Sequence, residues 1–108
     1  MTREEIIGYV KSVVRDELPD NTAAYLFGSY ANQQETSSSD LDLLIVCANP
    51  LDNPRSIVKN LYKRLTHYEL DYDILGYTKQ DLLEKLTWSR FFNTIMKEST
   101  LIYGPRVI

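Results

Sequence analysis

Apolar residues at Ile6, Val10, Val13, Val14 and Leu18 recur at helical spacing and stop at Pro19. Thr2 and Glu5, three positions apart, form a capping box that predicts where this first helix starts. Residues 23 to 27 are short, apolar and bounded by Asp20-Asn21 and Gly28, which predicts a strand. Residues 32 to 39, Asn-Gln-Gln-Glu-Thr-Ser-Ser-Ser, show no apolar period and predict a loop. Residues 41 to 47 are almost continuously apolar after Asp42, so a strand buried on both faces, central in its sheet, is expected there.

Pro50 and Pro54 are expected to break the chain before a second amphipathic helix over residues 55 to 66, with Ile57, Val58, Leu61 and Leu65 on its apolar face. Lys59, Lys63 and Arg64 read as its solvated side. Residues 70 to 77 alternate Leu70, Tyr72 and Ile74 against Asp71, Asp73 and Leu75, predicting a third strand. Thr78 opens a helical stretch with Leu82, Leu83 and Leu86, continued over residues 88 to 97, where Trp88, Phe91, Phe92, Ile95 and Met96 read as packed positions. Residues 101 to 103 form a short edge strand ended by Gly104-Pro105, and His67 reads as a helix-end residue without a catalytic part. The fold class is α/β, of α+β type: a small mixed sheet flanked by helices.

A length of 108 residues fits one domain spanning 1–108. The hydrophobic share of 44% and charged share of 25% are those of a folded globular chain. A formal charge of -3 supplies no basic field, so direct nucleic-acid binding is not expected and a phosphate ligand calls for a metal. The single Cys47 excludes an internal disulfide and suits a reducing, cytoplasmic setting as a small buried hydrophobe. No stretch approaches the ~20 apolar residues of a membrane span, and the opening Met-Thr-Arg-Glu-Glu is too charged for a signal peptide.

The strands over 41 to 47 and 70 to 77 are joined through a helix, a crossover that makes them parallel and brings Asp40, Asp42, Asp71 and Asp73 to one end of the sheet. Period-two alternation turns Asp40 and Asp42 to the same side. Unpaired, two such carboxylates repel and lose hydration, which is a poor device for stability. A divalent cation reverses that sign: Mg²⁺ takes oxygen ligands, commonly one or two carboxylates plus water and phosphate oxygens. A third carboxylate from the next strand completes a site for in-line phosphoryl displacement, and alternation alone leaves Asp71 and Asp73 both open. Gly28-Ser29, closing the first strand, supplies a sharp turn, a close backbone approach and both an N–H and a hydroxyl toward a phosphate. A short helix starting at Ser29 would add free N–H groups.

Taken together, Phe27-Gly28-Ser29, Ala31 and Ser39-Asp40-Leu41-Asp42-Leu43-Leu44-Ile45-Val46, with the first aspartate twelve positions after the glycine, resemble the minimal nucleotidyltransferase family of the DNA polymerase beta-like superfamily. The resemblance covers nearly the whole chain and includes the MNT antitoxins of HEPN/MNT pairs. It implies that Gly28 and Ser29 hold the nucleotide phosphates, that Asp40, Asp42 and a third aspartate bind Mg²⁺, and that this third carboxylate takes the proton of the attacking hydroxyl. Asp73, followed by Ile74-Leu75 and then Thr78-Lys79-Gln80-Asp81, matches the family pattern better than Asp71.

The family resemblance further implies transfer of a nucleoside monophosphate, AMP from ATP, to a hydroxyl, with a tyrosine of a small helical HEPN-type toxin as the acceptor. Family members usually carry Ala-Arg-Gly after the Gly-Ser pair, where this chain has Ala31-Asn32-Gln33. Either another base such as Lys59 or Lys63 replaces the lost cation, or transfer is slow. The alternative is a binding module that neutralises its partner by contact, with Trp88, Phe91 and Phe92 as an aromatic anchor.

Overall fold

The computed structural model describes residues 2–66 and 70–108. His67 lies outside the described residues. The elements run α1 (Arg3–Glu17), β1 (Thr22–Phe27), α2 (Gly28–Ala31), β2 (Leu41–Cys47), α3 (Pro54–Arg64), β3 (Tyr72–Thr78), α4 (Lys79–Leu86), α5 (Arg90–Glu98) and β4 (Thr100–Tyr103). Each start has a chemical cause. The Thr2 hydroxyl accepts the Glu5 N–H at 3.1 Å, and the Asn53 side chain accepts from Arg55 and Ser56 ahead of α3. The Thr78 hydroxyl accepts from Asp81 ahead of α4. These are N-caps, each satisfying amides that the first helical turn leaves unpaired. Pro54, expected to break the chain, is instead the first residue of α3, where its missing N–H costs nothing.

The four strands are ordered β3-β2-β1-β4. β1 is antiparallel to both β2 and β4, while β2 and β3 are parallel, as the intervening helix requires. β2 is therefore an inner strand, and six of its seven residues are buried. Alternation divides the core into two layers. Ala24, Leu26, Leu41, Leu43, Ile45 and Ile74 pack beneath α1 and α3 through Val10, Val14 and Leu61. Ala23, Tyr25, Phe27, Leu44 and Val46 pack beneath α4 and α5 through Leu82, Phe92 and Ile95. Cys47 is fully buried.

Two expectations need correction. The third strand begins at Tyr72, not at residue 70, since Leu70 and Asp71 precede the paired segment. The stretch after Thr78 is also two helices, because the Ser89 hydroxyl accepts the Phe92 N–H at 3.2 Å and starts α5 anew. Asn93 Nδ2 donates to the carbonyls of Leu86 and Ser89, both at 2.8 Å, and fixes the corner. That corner turns Trp88 and Phe91 outward, leaving them 66% and 58% exposed, so they are not core residues. Phe92 and Ile95 take the packed positions.

At the other rim of the sheet, the Tyr62 hydroxyl accepts the Ile74 N–H at 2.8 Å. No helix among the described residues is long and apolar enough to cross a membrane.

Candidate active site

β2 enters the sheet at Leu41, whose N–H donates to the Asp71 carbonyl at 2.9 Å. One residue further, Asp42 stands in register with Asp73 on parallel β3 and with Phe27 on antiparallel β1. Residues in register on neighbouring strands share a face. Asp42, Asp73 and Phe27 therefore point to the side covered by α4 and α5, at the end of the sheet where those helices leave it open. Asp42 is half-buried, whereas Asp40 and Asp73 are exposed.

Asp42 is the electrostatic centre of this group. Burial, then the charge of Asp73, then that of Asp40 raise its pKa to about 6 from an ordinary value of 3.8. Among the described residues, no neighbouring cation offsets the shift. The geometry thus brings Asp40, Asp42 and Asp73 together, and Asp71, one step outside the register, does not take part in raising Asp42.

β1 delivers the second half of the site. Phe27 is extended, and Gly28 turns with φ +72°, a conformation that disfavours any residue with a β-carbon. Gly28 also lies directly against Asp42: a β-carbon there would overlap Asp42 Oδ2. α2 follows at once, placing half-buried Ser29 beside the carboxylates' end of the sheet, and buried Tyr30 anchors this turn in the core.

The polar loop after α2 is tethered by a residue the sequence did not single out. Arg3 Nη2 donates to the Tyr30 carbonyl, and Arg3 Nε pairs with Glu35 at 3.1 Å. Farther along the loop, Ser39 accepts the Thr36 N–H through its hydroxyl at 2.8 Å. These contacts hold the segment from Ser29 to Asp40 across the start of β2, so the loop's composition serves its geometry.

The donor set suits a hard cation: carboxylate oxygens, mutually repelling and, among the described residues, without a basic partner. Among the described residues, no three acidic, histidine or cysteine side chains close into a cation cage. Asp42 and Asp73 nevertheless stand in register on neighbouring strands, and one or two carboxylates are what Mg²⁺ usually takes from protein.

Lys59 and Lys63 stand on α3, which packs against the other face of the sheet. With Arg55 they line a groove of about 570 Å³ between α3 and the outer edge of β3. On the opposite side of the site, Phe27 and Gly28 face Phe91, Thr94, Ile95 and Glu98 of α5 across a cavity of about 240 Å³. Nothing in the residue pattern announces this slot, because it is the break at Ser89 that turns that side of α5 toward Gly28.

A glycine-serine turn at the end of one strand, an Asp-x-Asp pair on the next and an aspartate in parallel register beyond it define a nucleotidyltransferase fold. The sequence profile of the family described as polymerase beta, nucleotidyltransferase matches residues 10–105, and the chain belongs to that family.

Solved structures agree on the fold. A toxin–antitoxin complex with AMP-PNP contains a chain 22% identical to this one, at a TM-score of 0.53, the match covering 98% of this chain and 76% of that one. The tri-AMPylated Shewanella oneidensis HEPN toxin in complex with its MNT antitoxin matches at 19% identity and a TM-score of 0.56, covering 97% and 75%. A Sulfolobus solfataricus protein assigned to the nucleotidyltransferases matches at 18% identity and a TM-score of 0.57, covering 94% and 83%. No curated protein matches the chain.

Proposed function

We propose that this protein transfers AMP from ATP, with Mg²⁺, to a tyrosine hydroxyl of a HEPN-type helical partner. The observation that carries the reading is Asp42, held against Gly28 and beside Asp73 with its pKa raised to about 6 and, among the described residues, no cation to offset it. Such an arrangement costs stability and repays it only when a cationic or phosphate-bound species arrives. The match to the AMPylated toxin–antitoxin complex supports the choice of nucleotide and partner.

In this reading Gly28 and Ser29 orient the triphosphate through backbone N–H groups and the Ser29 hydroxyl. Asp40, Asp42 and Asp73 hold Mg²⁺, which when bound neutralises charge on the phosphates. Asp73, the most accessible of the in-register pair, accepts the proton of the attacking hydroxyl. The new bond joins that oxygen to the α-phosphorus, the bond from the α-phosphorus to the bridging oxygen breaks, and pyrophosphate leaves. With no arginine after Ala31, the cation that family members place there to meet transition-state charge is missing, and slow turnover follows.

A second reading rests on Trp88, Leu83 and Phe91, which stand 66%, 45% and 58% exposed around the α4–α5 corner. Large exposed apolar side chains of this kind mark contact surfaces, and a protein acting by contact alone would use them without chemistry. Mass spectrometry of the partner after incubation with the protein, ATP and Mg²⁺ separates the two. An added AMP on a partner tyrosine supports transfer, and a tight complex of unchanged mass overturns it in favour of contact.

A further inference from the structure

The cavity between the end of β1 and α5 has a shape and a lining that the phosphate-and-carboxylate chemistry does not use. Phe27 and Ile95 form its apolar floor, Gly28 joins it to the carboxylates, and Phe91, Thr94 and Glu98 border it from α5. Its volume of about 240 Å³ is below the ~300 Å³ at which drug-sized ligand pockets begin. It suits a single flat ring system rather than a whole nucleotide. Phe91 is 58% exposed, with its ring 5.2 Å from that of Phe92 in a T-shaped arrangement. An aromatic ring left this open at the mouth of a slot is a surface for stacking.

We propose that the slot holds the base of the nucleotide, with Phe91 as its stacking platform and Glu98 as the acceptor for an amino group on the base edge. This rests on the nucleotidyl-transfer reading above and adds where the base goes and which bases are taken.

Two observations favour the base over the acceptor's ring. The slot opens on Gly28, the phosphate-holding side of the site, whereas Asp73, which receives the acceptor's proton, is two strands away on β3. Thr100, just beyond Glu98, is in register with Leu26, so the last turn of α5 reaches the same end of the sheet as Gly28. On the base edge, the Glu98 carboxylate oxygens offer acceptors, which suit an amino-bearing base such as adenine better than the edge carbonyls of uracil.

The test measures equilibrium binding by calorimetry, with Mg²⁺ and at constant ionic strength, of AMP-PNP, UTP and inorganic tripolyphosphate. Stacking of a base on an aromatic side chain is worth ~1–3 kcal/mol, so Phe91→Ala should weaken AMP-PNP binding by about 5- to 150-fold. It should leave tripolyphosphate unchanged, and Phe91→Trp should restore AMP-PNP binding. Glu98→Gln should narrow the preference for AMP-PNP over UTP.

Equal AMP-PNP affinity in the wild type and Phe91→Ala overturns the base slot while leaving nucleotide binding in place. So does a parallel loss of tripolyphosphate binding, which would make Phe91 structural. A wild-type protein that binds neither AMP-PNP nor tripolyphosphate overturns the underlying reading together with this one. Melting curves of each variant separate loss of the slot from loss of the fold. Should Phe91→Ala not fold, Glu98→Gln alone decides, an unchanged AMP-PNP to UTP ratio overturning the proposal.

Discussion

The carboxylate of Asp42 lies against the α-carbon of Gly28, in the space that a β-carbon on residue 28 would fill. With the positive φ of Gly28, this makes residue 28 doubly intolerant of a side chain. A non-glycine residue in the left-handed region costs ~1–3 kcal/mol, and each kcal/mol moves the melting temperature of a domain this size by roughly 4–8 °C. Gly28→Ala should therefore melt several degrees lower and, by displacing Asp42, lose Mg²⁺-ATP binding. Unchanged melting and binding would show that the contact has no consequence.

The raised pKa of Asp42 fixes a pH dependence. The folded state holds the proton up to about pH 6 and the unfolded chain releases it near 3.8. Between those values the native state binds more protons, so this group's contribution to stability falls as pH rises from about 4 to about 6 and then levels off. Asp42→Asn should remove that slope, melt higher than the wild type at pH 7 in the absence of ligand, and abolish transfer. Melting temperatures across pH 4–8 for both proteins check this. A wild-type curve whose stability in that window rises with pH relative to Asp42→Asn would contradict the placement of the charges.

Register distinguishes the two aspartates around the start of β3. Asp73→Asn should reduce transfer about as severely as Asp42→Asn, and Asp71→Asn should be mild, because of these two it is Asp73 that stands in register with Asp42 and raises its pKa. Rates of AMP incorporation into the partner rank the three variants. The reverse order for Asp71 and Asp73 would assign the proton acceptor to Asp71.

Ligand binding should offset the repulsion. A ligand present at 100 times its Kd and bound only to the folded state stabilises it by about 2.7 kcal/mol. Mg²⁺-ATP at that level should raise the wild-type melting temperature by roughly 10–20 °C and that of Asp42→Asn much less. Equal shifts would place the ligand elsewhere.

At the α4–α5 corner, Trp88→Ala removes a ring that is 66% exposed, so stability should change by no more than ~0.5 kcal/mol. A buried aromatic anchor in an interface is worth ~2 kcal/mol or more, and partner affinity should then fall at least 30-fold if this corner is the contact. Calorimetric titration of the partner measures it.

Much of this architecture was legible because its signals are local. Thr2, Pro19 and the spacing of Ile6, Val10 and Val14 define α1, and the run over Leu41–Cys47 announces an inner strand. A strand–helix–strand passage dictates the parallel pairing that puts Asp42 beside Asp73. The unread parts depend on competition or on distance. Pro54 can break a chain or begin a helix, and only the Asn53 cap decides. Ser89 capping a new helix outweighs the continuous apolar period that made Trp88 and Phe91 look buried. Arg3 and Glu35 meet across 32 positions, and the slot between Gly28 and α5 exists only once β4 has brought the end of α5 back beside β1.

The hydrogen bond from the Ile74 amide to the Tyr62 hydroxyl bears on how this protein behaves in a crowded solution. β3 is the outermost strand on its side of the sheet, and an open strand rim is a template on which further chains can stack into fibres. Tyr62 stops one of the amides such stacking would need, and exposed Lys59 and Lys63 beside it give two approaching copies the same charge. The opposite rim, β4, is only four residues long, with Pro105 just past its end. Self-association through the sheet is thereby blocked at both rims, and a site loaded with repelling carboxylates can be carried by a small domain without driving it into aggregates.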